Sequence, residues 1–300
     1  MVGVVTFTAA AATADAQVFK TLYAFTGGVD GGAPWGSPTL YRGSLYGTTY
    51  NGGGPSSANV GIVYQYNPAN GSESAYYTFL GQPNDGAYPM AGMVADRFGD
   101  FFGTTTQGGF NLRGAIYQIS AGSEFLLYSF RGTDGEDPEG SLAMDGSGNL
   151  YGTTTRGGLY GSGTVFTLTV AGKYILLHSF GNSRSDGVAP AGNVLFSKGV
   201  VYGTTTQGGE HGWGTVFSVD VHTKIETVLY NFRGRANGGT PTGGLVSDGQ
   251  DNVYGTASVG GSANGTAGNG VIFEATLVQD SGSAEGALLI SKHIAALLHC

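Results

Sequence analysis

The segment Leu150-Tyr-Gly-Thr-Thr-Thr-Arg-Gly-Gly, completed by Gly163-Thr-Val-Phe166, constrains this chain more than any other feature, because the chain carries it five times. Aligned on the residue before the Gly of Tyr-Gly-Thr, the copies stand at Tyr46, Phe102, Tyr151, Tyr202 and Tyr254, spaced by 56, 49, 51 and 52 residues. A period near 50 with strand-like content indicates a β-propeller blade or a similar unit, since shorter solenoid repeats run to roughly 20–35 residues.

Each copy reads as four strands. Strand D ends in Tyr-x-Phe at Tyr23/Phe25, Tyr77/Phe79, Tyr128/Phe130 and Tyr230/Phe232, with His178/Phe180 as the variant. A loop follows with Asp30-Gly31, Asp85-Gly86, Asp134-Gly135, Asp186-Gly187 or Asn237-Gly238, and three residues after each Gly stands Pro34, Pro89, Pro138, Pro190 or Pro241. Gly supplies a positive φ and Pro pre-sets the next turn, so the connection is structured. Strand A is a short apolar run such as Ser141–Met144, closed by a turn of the type Asp145-Gly-Ser-Gly-Asn149; strand B is Leu-Tyr-Gly-Thr-Thr and strand C is Gly-Thr-Val-Phe. β-branched and aromatic runs bounded by Gly, Asn and Asp are the strand-and-hairpin signal. Gly47, Gly103, Gly152, Gly203 and Gly255 interrupt strand B and are expected to admit an aromatic of a neighbouring blade.

The first strand D precedes any strand A, and the last A-B-C set, about 242 to 277, has no D after it. Pairing of residues 18–25 with the last strand C solves both problems and removes the free edges. The expected fold is all-β: a five-bladed β-propeller with four-stranded antiparallel blades over residues 17–278, its ring closed by the N-terminal strand. Residues 1–16 end in Ala14-Asp15-Ala16, a small-x-small pattern, and read as the end of a secretory leader. Residues 279–300 read as a linker and a short helical or disordered tail, and the apolar stretch 287–298 is too short to span a bilayer, which takes roughly 20 residues.

Composition excludes several partners. With 56 Gly the chain would read as disordered, but 17 Tyr and 16 Phe at fixed repeat positions argue for a packed core. A net charge of −8 without a Lys/Arg cluster leaves nothing to neutralise a phosphate backbone, so nucleic acid is not expected. The single cysteine, Cys300, supports neither a disulfide framework nor a zinc spacing. A monomer is expected, without a transmembrane span.

The unit Gly-Asn-Leu-Tyr-Gly-Thr-Thr-x-x-Gly-Gly, Gly-Thr-Val-Phe-x-Leu, Tyr-Ser-Phe and Asp-Gly-x-x-Pro resembles the GloVer tandem repeat of the choice-of-anchor proteins over about residues 18–278. That resemblance implies an exported bacterial protein, secreted or held at the cell surface, with no settled biochemical activity. The run from strand B into D is more distantly similar to quinoprotein propeller repeats; the Trp that marks those is absent from strand D, so no quinone or other cofactor is expected.

With strand A innermost, the D–A and B–C loops share one face, where propellers usually bind ligands by fold analogy. Asp30, Asp85, Asp134 and Asp186, with Asn237, lie in these loops. They read either as turn caps for their own backbone or as a ring for a polar ligand or a calcium-like cation. Departures from the repeat are more informative, because the repeat does not explain them. Trp35 follows Pro34, and Trp213 ends the loop Glu210-His-Gly-Trp, placing His211 beside it. Exposed aromatic rings suit stacking on sugars or contact with a protein, so the leading function is an exported, non-catalytic module that binds a glycan or an extracellular protein. Asp134-Gly-Glu-Asp-Pro-Glu139 crowds four carboxylates into six residues. The alternative is a carbohydrate-active enzyme using Asp134, Glu136, Glu139 or Glu210 as acids with His211 as general acid, which requires two carboxylates about 5–5.5 Å or about 6.5–9.5 Å apart. His178, in place of a repeat Tyr, reads as structural. Gly161-Ser162-Gly163 is a turn of the repeat and not a nucleophile elbow, and no His/carboxylate metal spacing stands in the sequence.

Overall fold

The computed structural model describes residues 19–276 apart from 55–57, 82, 235–236, 251 and 262–267, so the leader 1–16 and the tail 279–300 lie outside it. The first antiparallel sheet consists of β1 (Thr39–Tyr41), β2 (Ser44–Thr49), β3 (Ile62–Asn67) and β4 (Ser72–Thr78) in sequence order. A short strand β5 (Gly86–Ala87) opens the next repeat, followed by β6 (Val94–Ala95), β7 (Phe101–Thr105), β8 (Gln107–Gly108), β9 (Ala115–Ser120) and β10 (Ser123–Ser129). Of these, β6-β7-β9-β10 form the second sheet and β5 pairs with β8 beside it.

The third sheet is β11 (Ala143–Met144), β12 (Leu150–Thr154), β13 (Thr164–Leu168) and β14 (Tyr174–Ser179). Then come β15 (Gly187–Val188), β16 (Leu195–Ser197), β17 (Val200–Thr205), β18 (Gln207–Gly208), β19 (Thr215–Asp220) and β20 (Glu226–Asn231), with β16-β17-β19-β20 as the fourth sheet and β15 paired to β18. The last sheet has three strands: β21 (Val246–Ser247), β22 (Asn252–Ala257) and β23 (Val271–Thr276). No helix among the described residues is long and apolar enough to cross a membrane.

The glycine and the threonines of the Tyr-Gly-Thr-Thr signature take recurring places in the packing. The glycine sits directly opposite an aromatic of the adjacent strand of its own sheet: Gly47 with Tyr64, Gly103 with Tyr117, Gly152 with Phe166, Gly203 with Phe217 and Gly255 with Phe273. A Cβ on Gly203 would stand 2.5 Å from the Phe217 ring, so the missing side chain is where the ring lies. The partner expected from a neighbouring blade is thus in the same blade, where the ring of the directly opposed residue fills the space the glycine leaves. The first Thr reaches the next sheet: Thr48 Oγ1 donates to Ala91 O at 2.8 Å, Thr104 to Gly140 O and Thr204 to Gly243 O at 3.3 Å. The second turns into its own loop, where Thr49, Thr105, Thr154 and Thr205 donate to the carbonyls of Asn51, Gln107, Arg156 and Gln207. These hydroxyls are tolerated in the interior because they are bonded, whereas Thr153 Oγ1 of the third copy is buried without a partner.

Sheets stack through strand D. Phe79 packs on Tyr117, Phe130 on Phe166, Phe180 on Phe217 and Phe232 on Phe273, with ring centroids 4.9–5.3 Å apart and planes 63–69° apart. Such edge contacts contribute about 0.5–1.5 kcal/mol each beyond burial. Phe25 repeats the geometry on Tyr64, at 5.0 Å and 59°. The expected closing strand differs: residues 19–26 form no strand, and among the described residues β23 pairs with β22 alone. Phe25 engages the first sheet as strand D residues do, while Phe19, Leu22 and Tyr23 stay exposed and no ladder reaches β23.

Candidate functional site

The D–A and B–C loops do share one side of each sheet, because they pair with one another through β5–β8, β15–β18 and the bridges Gly32–Asn51, Glu136–Arg156 and Gly239–Val259. The residue before each of the five loop prolines takes a left-handed φ: Ala33 53°, Tyr88 58°, Asp137 54°, Ala189 56° and Thr240 51°. Non-glycine residues hold that conformation at a cost of order 1 kcal/mol or more only where neighbours fix it. Here the amides of Tyr88, Asp137, Ala189 and Thr240 donate to the carbonyls of Val60, Arg113, Ser162 and Trp213 in the preceding repeat, and their own carbonyls accept from Thr106, Thr155, Thr206 and Ser258. The loop side is rigid for that reason.

Trp35 is 62% exposed, yet it is held: its ring stacks on Tyr50 at 5.3 Å and 13°, and Tyr50 lies 4.9 Å from Tyr88. These three residues, from two D–A loops and the end of a strand B, form a row of aromatic rings. Trp213 is 43% exposed and folds over the loop that follows its sheet, against Gly234 and Gly239. His211 and Asn237 are exposed in the same loops.

The loop aspartates face inward. Asp30 accepts from Tyr23 Oη, Thr26 N and Thr26 Oγ1, Asp85 from Tyr77 Oη and Leu80 N, and Asp134 from Tyr128 Oη and Arg131 N. The Thr26 hydroxyl above all holds the Asp30 carboxyl below the usual range, whereas burial pushes Asp85 above it. They cap their own loops and are not gathered at metal-ligand distance from one another. The acidic run is partly paired locally: Glu136 pairs with Arg113 and Asp137 lies 3.3 Å from Arg156, while burial pushes the Glu139 carboxyl up. Glu210 and His211 are exposed, and Glu210 N donates to Asn231 Oδ1.

A cluster that no local spacing discloses lies between the third and fourth sheets. His178 of β14 stands in for the repeat Tyr, Asp186 comes from the following loop and Glu226 from β20, and one ligand atom from each lies within 4.8 Å of the other two. His178 Nε2 is 3.4 Å from Asp186 Oδ2, and the side chains are 12% and 3% exposed. Burial pushes Glu226 up to about 7, against a downward effect of His178. Against the opposite push of burial on Asp186, His178 and the amides of Asn182 and Gly181 hold it below the ordinary range. Elsewhere the same three places hold Tyr23, Asp30 and Glu73, or Tyr77, Asp85 and Glu124. The signal available in the sequence was the His178 departure together with Glu73, Glu124 and Glu226, each six residues before a strand D Phe.

The family described as the Gloeobacter/Verrucomicrobia repeat matches residues 5–184 and, overlapping, 122–286. No curated protein matches. Among solved structures, a gluconolactonase from Xanthomonas campestris is similar at 15% identity over 82% of this chain and 74% of its own, with a TM-score of 0.52. TolB from Acinetobacter baumannii is 15% identical over 78% of this chain and 49% of its own, with a TM-score of 0.44. At this identity the likeness to the gluconolactonase concerns the fold alone, which is propeller-like and all-β.

Proposed function

Because the chain belongs to the Gloeobacter/Verrucomicrobia repeat family and folds into successive propeller-like sheets, we propose that it is an exported, non-catalytic binding module that takes a glycan or an extracellular protein on its D–A/B–C loop side. The observation that carries this reading is Trp35, a large ring exposed to solvent but immobilised on Tyr50 and backed by Tyr88. A pre-positioned aromatic face loses little conformational entropy on binding and suits stacking on the apolar face of a sugar ring. Trp213, with His211 and Asn237, supplies a second contact point. Asp30, Asp85, Asp134 and Asp186 act in this reading as rims of the loops, since their carboxylates already serve their own turns. Export rests on Ala14-Asp15-Ala16, which lies outside the described residues.

The same reading takes the five sheets as blades of one ring completed by residues 18–25. What supports it is the Phe25–Tyr64 contact, which matches the four contacts between successive sheets in distance and angle. Glycan-array binding of the wild type, followed by titration of a hit against Trp35→Ala and Trp213→Ala, tests the ligand assignment. Trp35→Ala is expected to weaken binding about tenfold or more, by analogy with buried aromatic anchors, without lowering Tm. A hit bound equally by both variants would remove the aromatic row from the site.

A further inference from the structure

We propose that His178, Asp186 and Glu226 form a binding site for a divalent transition metal of the zinc class, tying strand D of the third sheet, its following loop and strand D of the fourth. Three observations converge. The donor set is one imidazole and two carboxylates, borderline-soft and hard ligands together, which suits Zn2+ better than Ca2+ with its preference for six to eight oxygens. Their ligand atoms already lie within 4.8 Å of one another, and His178 Nε2 and Asp186 Oδ2 at 3.4 Å match the edge of about 3.3 Å that a tetrahedral site with bonds near 2.0–2.1 Å requires. Finally, His178 Nε2, Asp186 Oδ1 and Glu226 Oε1 are all buried without a hydrogen-bond partner, and the Asp186 side chain is only 3% exposed. Asp85 Oδ1 and Glu124 Oε1 are left in the same way at the Tyr77 junction, so what sets this place apart is His178 Nε2, a buried nitrogen without a bonded partner where the repeat has a tyrosine hydroxyl, and buried polar atoms are nearly always bonded.

The other repeats explain why, among the described residues, this donor set gathers at one junction. Tyr23, Tyr77 and Tyr128 each donate a hydroxyl to the loop aspartate, filling the position with a proton donor. His178 instead aims a ring nitrogen at Asp186, while Gly181 N and Asn182 N both donate to Asp186 Oδ2, at 2.8 and 3.1 Å, and fix the carboxylate. A ligand fixed by backbone donors is the arrangement that orients metal-binding carboxylates. Three protein ligands leave a fourth position, which water fills in zinc sites of this kind.

The test uses tag-free full-length chain, equilibrium dialysis against Zn2+ with metal analysis, and thermal unfolding with and without Zn2+. About one Zn2+ per chain is expected to be retained, and at a hundredfold excess over Kd the Tm is expected to rise by about 5 °C. His178→Tyr restores the residue that the repeat uses elsewhere and so keeps the fold; it is expected to bind at least tenfold more weakly and to lose the Tm rise. Glu226→Gln is expected to weaken binding tenfold or more by the loss of one ligand. No retention by the wild type, retention that survives either substitution, or a response to Ca2+ without one to Zn2+ would each overturn the proposal, the first leaving the three groups held together by protons alone.

Discussion

Val216 and Ile272 occupy the same place in the repeat, one residue before the strand C aromatic, yet Val216 is fully buried and Ile272 is 74% exposed. Val63, Ile116 and Val165 side with Val216, each at 0%. The difference lies in what comes next along the chain. Each of the first four sheets is covered by its successor, which places Pro89, Pro138, Pro190 or Pro241 on Gly61, Gly114, Gly163 or Gly214. The last sheet packs one face on the fourth through Phe273, while Val246, Thr256 and Ile272 on its other face are exposed and Gly270 meets only its own hairpin, at Ala257 and Ser258. One repeat therefore cannot bury its own hydrophobic face; the core belongs to the junctions.

The largest expected effect follows directly. Phe130→Ala removes a ring that is 0% exposed between the second and third sheets and is expected to cost about 3–5 kcal/mol in urea unfolding. Phe25→Ala, at the half-buried contact on the first sheet, is expected to cost about 1 kcal/mol, since the ring is only partly removed from water. A Phe130→Ala loss as small as that of Phe25→Ala would break the idea that interior junctions carry the stability.

This contrast also marks what the sequence discloses. The five Tyr-Gly-Thr copies, the Tyr-x-Phe endings and the Asp-Gly-x-x-Pro loops were legible because each is a local pattern repeated in phase, and the strands fall where those patterns place them. The partner of the strand B glycines was misassigned, because periodicity does not say whether an aromatic comes from the adjacent strand or the adjacent sheet. Trp35 stood out as a departure, but its stacking on Tyr50 depends on the D–A loop folding onto the end of strand B, and the Tyr50–Tyr88 contact on the packing of the next repeat. Of the His178, Asp186 and Glu226 cluster, the sequence offered His178 as structural and Asp186 as a turn cap or ring member, and did not bring Glu226 to them. The cluster's members are 8 and 40 residues apart and meet only when two sheets pack.

A junction also changes what a carboxylate can do, and this sharpens the comparison at intermediate size. Glu124 of β10 faces Asp85 and Tyr77 of the preceding repeat, and burial first, then the Asp85 charge, pushes it up to about 8. A group raised in the folded state stabilises fully below its unfolded value, near 4.5, and that contribution is lost as pH climbs through the folded value. Stability is thus expected to fall between about pH 5 and pH 8, by about 1–2 kcal/mol after discounting for solvent screening. Glu124→Gln is neutral throughout and is expected to flatten the decline in Tm across that window. An unchanged pH profile would show that the junction leaves this carboxylate as hydrated as a surface group.

The smallest expected effect is the most telling about the open face. Val216→Ala deletes two methyl groups from a closed junction and is expected to cost about 2 kcal/mol, through lost transfer energy and the cavity left behind. Ile272→Ala deletes more carbon from the same repeat position, but on a face that water already reaches, so its cost is expected to stay within about 0.5 kcal/mol. Urea unfolding of the two variants at matched pH measures both. Should Ile272→Ala cost as much as Val216→Ala, the outer face of the last sheet is covered in solution. Concentration dependence then separates the two ways of covering it: a loss that is the same at micromolar and submicromolar chain places the first sheet and Phe25 over Ile272 within one molecule, whereas a loss that fades on dilution places a second copy there, because only association between chains obeys mass action.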